Sequence, residues 1–184
     1  MTRKALAALM LAIAALPASA ASEVTVPRFQ ALSLHGGGKV TVRHGATQTV
    51  RIVRGSAAVS GFDVSNNSLR IRACEDGCPD GYRLEVEVVT PDIRALAVRG
   101  GGQVTMTGFP PQTTLALSVQ GGGGLDTRAV QATNVAASVQ GGGAIRTWST
   151  GTLAGSVRGG GGILYRGTPT VSTSVRGGGS VKAE

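Results

Sequence analysis

The chain has 184 residues, 29 of them glycine, with 18 basic and 10 acidic side chains and a formal net charge of +8. That length suits one domain with a core of its own. The charge is either ordinary solubility charge or a surface for anionic partners such as acidic glycans and lipid phosphates, whereas one Trp, two Tyr and three Phe are too few for base stacking and argue against nucleic acid.

Arg3 and Lys4 precede an apolar run from Ala5 to Leu16, followed by Pro17-Ala18-Ser19-Ala20. A short apolar run with small residues behind it predicts a secretory signal peptide over 1–20. The run is well short of the ~20 residues that span a bilayer as a helix. No cysteine stands at the cleavage region, so no lipid anchor is expected. Residues 21–184 then form a single exported domain, destined for the periplasm, the cell surface or the medium. Removing Arg3 and Lys4 leaves 16 basic against 10 acidic residues, a net charge of +6.

From Phe29 onward the pattern is β. Leu32 and Leu34, Val40 and Val42, Val50 and Ile52, Leu69 and Ile71, and Leu84, Val86 and Val88 alternate with polar neighbours. Gly, Asn and Pro punctuate the runs, as expected for half-buried strands. Cys74 and Cys78 form an even, close pair in an exported chain, which predicts a structural disulfide pinning a turn rich in Asp, Gly and Pro. A redox pair or a metal site are the alternatives, but CxxxC is not the usual redox spacing and no histidine is near.

Six segments then set the architecture. Each has an apolar residue, a His, Arg or Gln, at least three glycines, one further residue and another apolar residue. They begin at 34, 98, 119, 139, 157 and 175, so the last four steps are 21, 20, 18 and 18 residues. A period near 20 marks a stacked repeat. Two short strands per repeat, joined by a glycine corner, predict an all-β, right-handed parallel β-helix or β-solenoid, with Gly-rich repeats over 93–182. The alternative is an antiparallel β-sandwich or prism with the triplets as loops. In the solenoid the triplet glycines answer a geometric demand of the stacked corner, so Gly142→Val is expected to destabilise the fold by ~1 kcal/mol or more.

The apolar-x-Gly-Gly-Gly-x-apolar units, the strand pair from Phe29 to Val42, and Val86-Glu87-Val88-Val89-Thr90-Pro91-Asp92-Ile93-Arg94-Ala95-Leu96 leading into a triplet resemble the auto-transporter adhesin head GIN domain family. The resemblance covers roughly residues 28 to 181. It implies an exported β-helical domain with an adhesive or envelope role, and it carries no catalytic residues.

Stacking places like positions in columns. The column before the corners reads His35, Arg99, Gln120, Gln140, Arg158, Arg176. Arg158 and Arg176 are like charges one coil apart, which suits either an anion site beside glycine-rich backbone or a solvated polar edge. A second column reads Thr107, Arg128, Trp148, Arg166. It places Trp148 between two arginines as a platform for a sugar or lipid head group, or as a surface stack. Beside it Asp126 is expected to face Arg146.

Between Pro91 and Lys182 the only acids are Asp92 and Asp126. That is too few for the paired carboxylates of a solenoid hydrolase or lyase. No Ser-His-Asp set, metal cluster or cofactor motif is visible, so no enzyme and no cofactor are expected. The expected function is non-enzymatic contact with an anionic envelope or extracellular glycan or lipid. A self-assembling structural module is the alternative. The final coil from Val175 lacks a polar cap, which predicts either pairing with a second copy around Val171, Val175 and Val181 or an edge blunted by the charges of Arg176, Lys182 and Glu184.

Overall fold

Alternating apolar and polar residues set fifteen strands in the structure, a computed structural model that describes residues 22–75 and 77–184. The expected leader and Asp76 lie outside the described residues. In chain order the strands are β1 (Ser22–Glu23), β2 (Ala31–His35), β3 (Lys39–His44), β4 (Thr49–Arg54), β5 (Gly61–Ser65), β6 (Ser68–Arg72), β7 (Glu85–Thr90), β8 (Ala95–Arg99), β9 (Gln103–Thr107), β10 (Gln112–Gln120), β11 (Gly124–Gln140), β12 (Ala144–Arg158), β13 (Gly162–Arg166), β14 (Thr170–Arg176) and β15 (Ser180–Ala183). No helix occurs among the described residues. The strands join in one curled mixed sheet, parallel over most of its extent and antiparallel where β4 pairs β1 and β7 and where β5 pairs β6. Asn66 and Asn67 close the β5–β6 hairpin with φ of 50° and 61°, the left-handed pair that a tight hairpin turn requires.

The two strand segments that directly flank a glycine triplet do not pair with each other. Each pairs in parallel with its counterpart in the neighbouring repeat. One ladder runs β6–β2–β8–β10–β11–β12–β14, and the other runs β7–β3–β9–β11–β12–β13–β15. The long strands β11 and β12 belong to both ladders, each serving one repeat with its first half and the next with its second. The order in space is not the order in sequence. The β2–β3 repeat lies between β6–β7 and β8–β9, because the chain leaves it through β4 and β5 and returns on its far side.

The core is the stack of inward residues. Leu34, Val98, Val119, Val139 and Val157 form one fully buried column, and Val40, Val104, Leu125, Ile145 and Ile163 form another. Each such side chain contributes about 1.5–3 kcal/mol on burial. Thr127 and Thr147 also face inward, and the Thr127 hydroxyl donates to the Thr147 hydroxyl at 3.0 Å, so two polar positions inside the stack satisfy each other.

The corners sort the glycines by position. The first of each triplet has positive φ (89° at Gly36, 113° at Gly121, 111° at Gly141, 114° at Gly159), a conformation that side chains disfavour. The third is crowded: a Cβ on Gly143 would lie 2.5 Å from Val119 Cγ1. The middle glycine is free. A Cβ on Gly122, Gly142 or Gly160 meets nothing within 4 Å, and none of the three has positive φ. The expectation for Gly142 is therefore wrong, since the geometric demand falls on its two neighbours.

Candidate anion-binding face

Register brings the pre-corner polar column together as expected and lengthens it by one. Arg72, His35, Arg99, Gln120, Gln140, Arg158 and Arg176 occupy successive rungs. Arg72 was missed because no glycine follows it. The run Leu69-Arg70-Ile71-Arg72 matches Leu32-Ser33-Leu34-His35, but Ala73 takes the place of the first corner glycine. Its N–H donates to His35 O at 2.9 Å, just as Gly141 N–H donates to Arg158 O at 2.8 Å. The Cys74–Cys78 disulfide then stands where the other repeats have their glycine corner.

Arg158 and Arg176 are exposed, with no carboxylate in ion-pair range among the described residues. The amides of the first and third corner glycines already donate across the stack, as Gly141 N to Arg158 O and Gly161 N to Gly141 O, each at 2.8 Å. No backbone acceptor occurs for the middle amides of Gly142 and Gly160 among the described residues. Beside these corners lies a hollow of about 210 Å³ lined in part by Gln103, Gly122, Gly142 and Arg146.

At the other end of the column the charges are partly matched. Arg72 reaches Asp63 at 2.6 Å and Glu75 at 2.5 Å, while Arg99 has no such partner among the described residues. Burial lowers the pKa of His35 below its ordinary value, and the charges of Arg99, Arg70 and Arg72 push it the same way against Asp63.

The second expected column is not formed. Trp148 pairs with Arg166 on one side, where the guanidinium carbon lies 5.1 Å from the ring centroid, but its rung on the other side is Gln131, not Arg128. The offset between β11 and β12 is 20 at Asp126↔Arg146, 17 at Gln131↔Trp148 and 18 at Asn134↔Thr152. The offset thus falls by three between Asp126 and Gln131 and recovers one between Ala132 and Asn134, and the first of these bulges carries Arg128 out of line. Arg128 instead donates to Asp126 Oδ2 at 2.7 Å and also reaches Glu184. These contacts hold its guanidinium further into the charged range. The expected Asp126–Arg146 rung exists, yet the carboxylate is held by Arg128. Trp148 and Arg166 therefore form one small patch, and Arg158 with Arg176 another.

Two larger cavities, each of about 620 Å³, open elsewhere. One is lined in part by Arg28, Gln30, Gln48, Asn67 and Asp92, where Gln30 donates to Asp92 at 2.6 Å, Asn67 donates to Gln30 at 3.0 Å and Gln48 donates to the Pro27 carbonyl at 3.0 Å. The other crosses the outer face of the pre-corner ladder. No cluster of three or more His, Cys, Asp or Glu able to hold a metal occurs among the described residues.

Among solved structures, a putative adhesin from Bacteroides fragilis is 19% identical, with 89% of this chain and 95% of that chain covered at a TM-score of 0.52. A putative lipid binding protein from Parabacteroides distasonis is 14% identical, with 89% and 95% covered at a TM-score of 0.50. At these identities the likeness establishes the fold alone. No curated protein is matched. The family model described as "Putative auto-transporter adhesin, head GIN domain" matches residues 28–123 and 111–169. A match over 28–169, most of the chain, shows that the protein belongs to the auto-transporter adhesin head GIN domain family.

Proposed function

We propose that the protein is an exported, non-enzymatic binding domain, wound as a right-handed β-helix, whose arginine column contacts anionic glycans or lipid head groups of an envelope or extracellular surface. One observation carries this: Arg158 and Arg176 stand on adjacent rungs, about 4.8 Å apart along the ladder, with no carboxylate between them. Like charges directly opposite are unfavourable, and a bridging anion relieves them with charge-assisted hydrogen bonds. The unpaired middle glycine amides beside them add donors of the kind that line anion-binding concavities. Family membership and the disulfide, which fits an oxidising compartment, support export. The right-handed winding rests on the hand that parallel crossovers take in about 98% of cases.

The test is binding of the purified protein to lipopolysaccharide and to acidic glycans at low and high salt, beside Arg158→Gln/Arg176→Gln. Salt-sensitive binding that the double variant loses at unchanged Tm supports the proposal. Equal binding by both proteins assigns the column to solvation.

A second reading has its own observation. Among the described residues, β14 and β15 each pair on one side only, and Val171 and Val175 are 37% and 42% exposed. A free strand edge with apolar side chains suits pairing with another chain or copy.

A further inference from the structure

The outer face of the pre-corner ladder is chemically unlike the rest of the surface. On the post-corner ladder the outward positions carry Lys39, Thr41, Arg43, Glu85 and Glu87, and Arg43 pairs with Glu87. That is the ordinary polar dress of a solvated sheet face. On the pre-corner ladder Ala31, Ala95, Ala116, Ala136 and Ala154 occupy successive outward rungs, with Ser33, Ala97, Ser118, Ser138 and Ser156 beside them. Alanine is a poor strand former and gains nothing here from core packing, since Ala116, Ala136 and Ala154 are exposed. Neither strand propensity nor burial explains five in a row.

This face is also hollow. Its cavity of about 620 Å³ falls within the roughly 300–1,000 Å³ of small-molecule sites, and those sites are mostly apolar with a few polar groups that fix orientation. Serine hydroxyls run along its length, and the charged groups are at one end. Arg99, His35 and Arg70 line the cavity there, and Arg99 has no carboxylate partner among the described residues. From Ala31 to Ala154 the floor crosses five strands, four gaps of about 4.8 Å, or roughly 19 Å. A long apolar floor with uncompensated positive charge at one end complements an amphiphile, not a freely hydrated polyanion.

We propose that this trough binds an anionic amphiphile, with its charged head at Arg99 and His35 and its alkyl chain along the Ala95, Ala116, Ala136 and Ala154 column. The proposal rests on the anion-binding reading and deepens it by naming a second place, further along the same column, and a ligand class. It also gives the crowding of positive charge around His35 a use. Arg99, Arg70 and Arg72 face that ring, Asp63 opposes them, and Ser33 Oγ lies 3.2 Å from its Nε2. A bound anion offsets the arginines, so the ring takes up a proton more readily in the complex and binding tightens as the pH falls through the histidine range.

The probe is dodecyl phosphate, kept below micelle-forming concentration and titrated calorimetrically into the full chain, with inorganic phosphate as the headgroup-only arm. Saturable binding by dodecyl phosphate is expected, with inorganic phosphate about tenfold or more weaker. Ala116→Phe and, independently, Ala136→Phe fill the trough from its solvent side and are expected to weaken binding about tenfold or more at unchanged Tm. Arg99→Gln is expected to weaken it about tenfold through the lost charge-assisted contact. The His35 ring resonances are expected to titrate at higher pH in the complex. Equal affinity for phosphate and dodecyl phosphate, or wild-type binding by both phenylalanine variants, would overturn the proposal. So would a doubled solution mass that Ala116→Phe abolishes, which would assign the trough to a second copy. Binding of acidic glycan without dodecyl phosphate sinks the trough alone, whereas trough binding with an indifferent Arg158→Gln/Arg176→Gln variant sinks the arginine column alone.

Discussion

Gly159 lies over Gly141 so closely that a Cβ on Gly159 would sit 2.7 Å from the Gly141 carbonyl oxygen, and its φ of 114° excludes a side chain independently. The next residue, Gly160, meets nothing within 4 Å and has no positive φ. Two adjacent glycines of one triplet therefore answer to opposite constraints. Gly159→Ala is expected to cost about 2–3 kcal/mol through backbone strain. Gly160→Ala is expected to be neutral or to stabilise by about 0.4–1 kcal/mol, because it restricts the unfolded chain. Chemical denaturation of the two variants checks this, and equal losses would refute the division of roles.

The disulfide replaces a glycine corner, so it constrains a turn and not the core. Cys74 and Cys78 are four residues apart in sequence, with Cα atoms 6.0 Å apart. In the chain-entropy model so short a loop contributes about 2 kcal/mol. Mass spectrometry of the unreduced secreted protein should find the pair linked. Cys74→Ser/Cys78→Ser should lower stability by no more than that amount and leave the Gly-rich repeats folded.

Asp126 gives a pH signature. The side chain of Arg128 holds its carboxyl below the usual carboxylate range, partial burial opposes this, and the Arg128 backbone N–H and the charges of Arg128 and Arg146 add to it. A folded pKa below the unfolded one means the contribution is complete above the ordinary carboxylate pKa of about 3.9 and is lost as pH falls through the lower, folded value. The pair is about one-third exposed, so its worth is about 1 kcal/mol or less. Asp126→Asn should therefore lower Tm at neutral pH and converge on wild type in strong acid. A gap that persists in acid would mean the carboxylate is not the stabilising species.

Strand pairing through β14 is testable by mass. Replacing Val175 with Pro removes a ladder donor and is expected to convert any dimer or stack to monomer in light scattering. A monomeric wild type at tens of micromolar would exclude this mode of assembly.

Much of this architecture was legible because repetition is a local signal. Gln120 above Gln140 and Arg158 above Arg176 follow from counting outward from each triplet, and the structure keeps those rungs. Counting failed where the period changed. Arg128 belongs with Trp148 only if the 20-residue repeat keeps its register, and the bulge between Asp126 and Gln131 breaks it. Arg72 was hidden for a different reason, because its repeat turns through Ala73 and a disulfide and no glycine marks it. The trough over Ala116 was invisible because concavity belongs to the curled sheet, and no single strand carries it. The middle glycines show the limit of composition: three glycines in a row do not mean three equal demands.

The most direct test of the anion-binding column is an NMR titration of the arginine Nε–Hε resonances with a linear oligogalacturonate. Arg158 and Arg176 should shift together and saturate, while Arg128, held by Asp126 and Glu184, stays still. Uniform small shifts across all arginines, or none at Arg158 and Arg176, would contradict a site in this column.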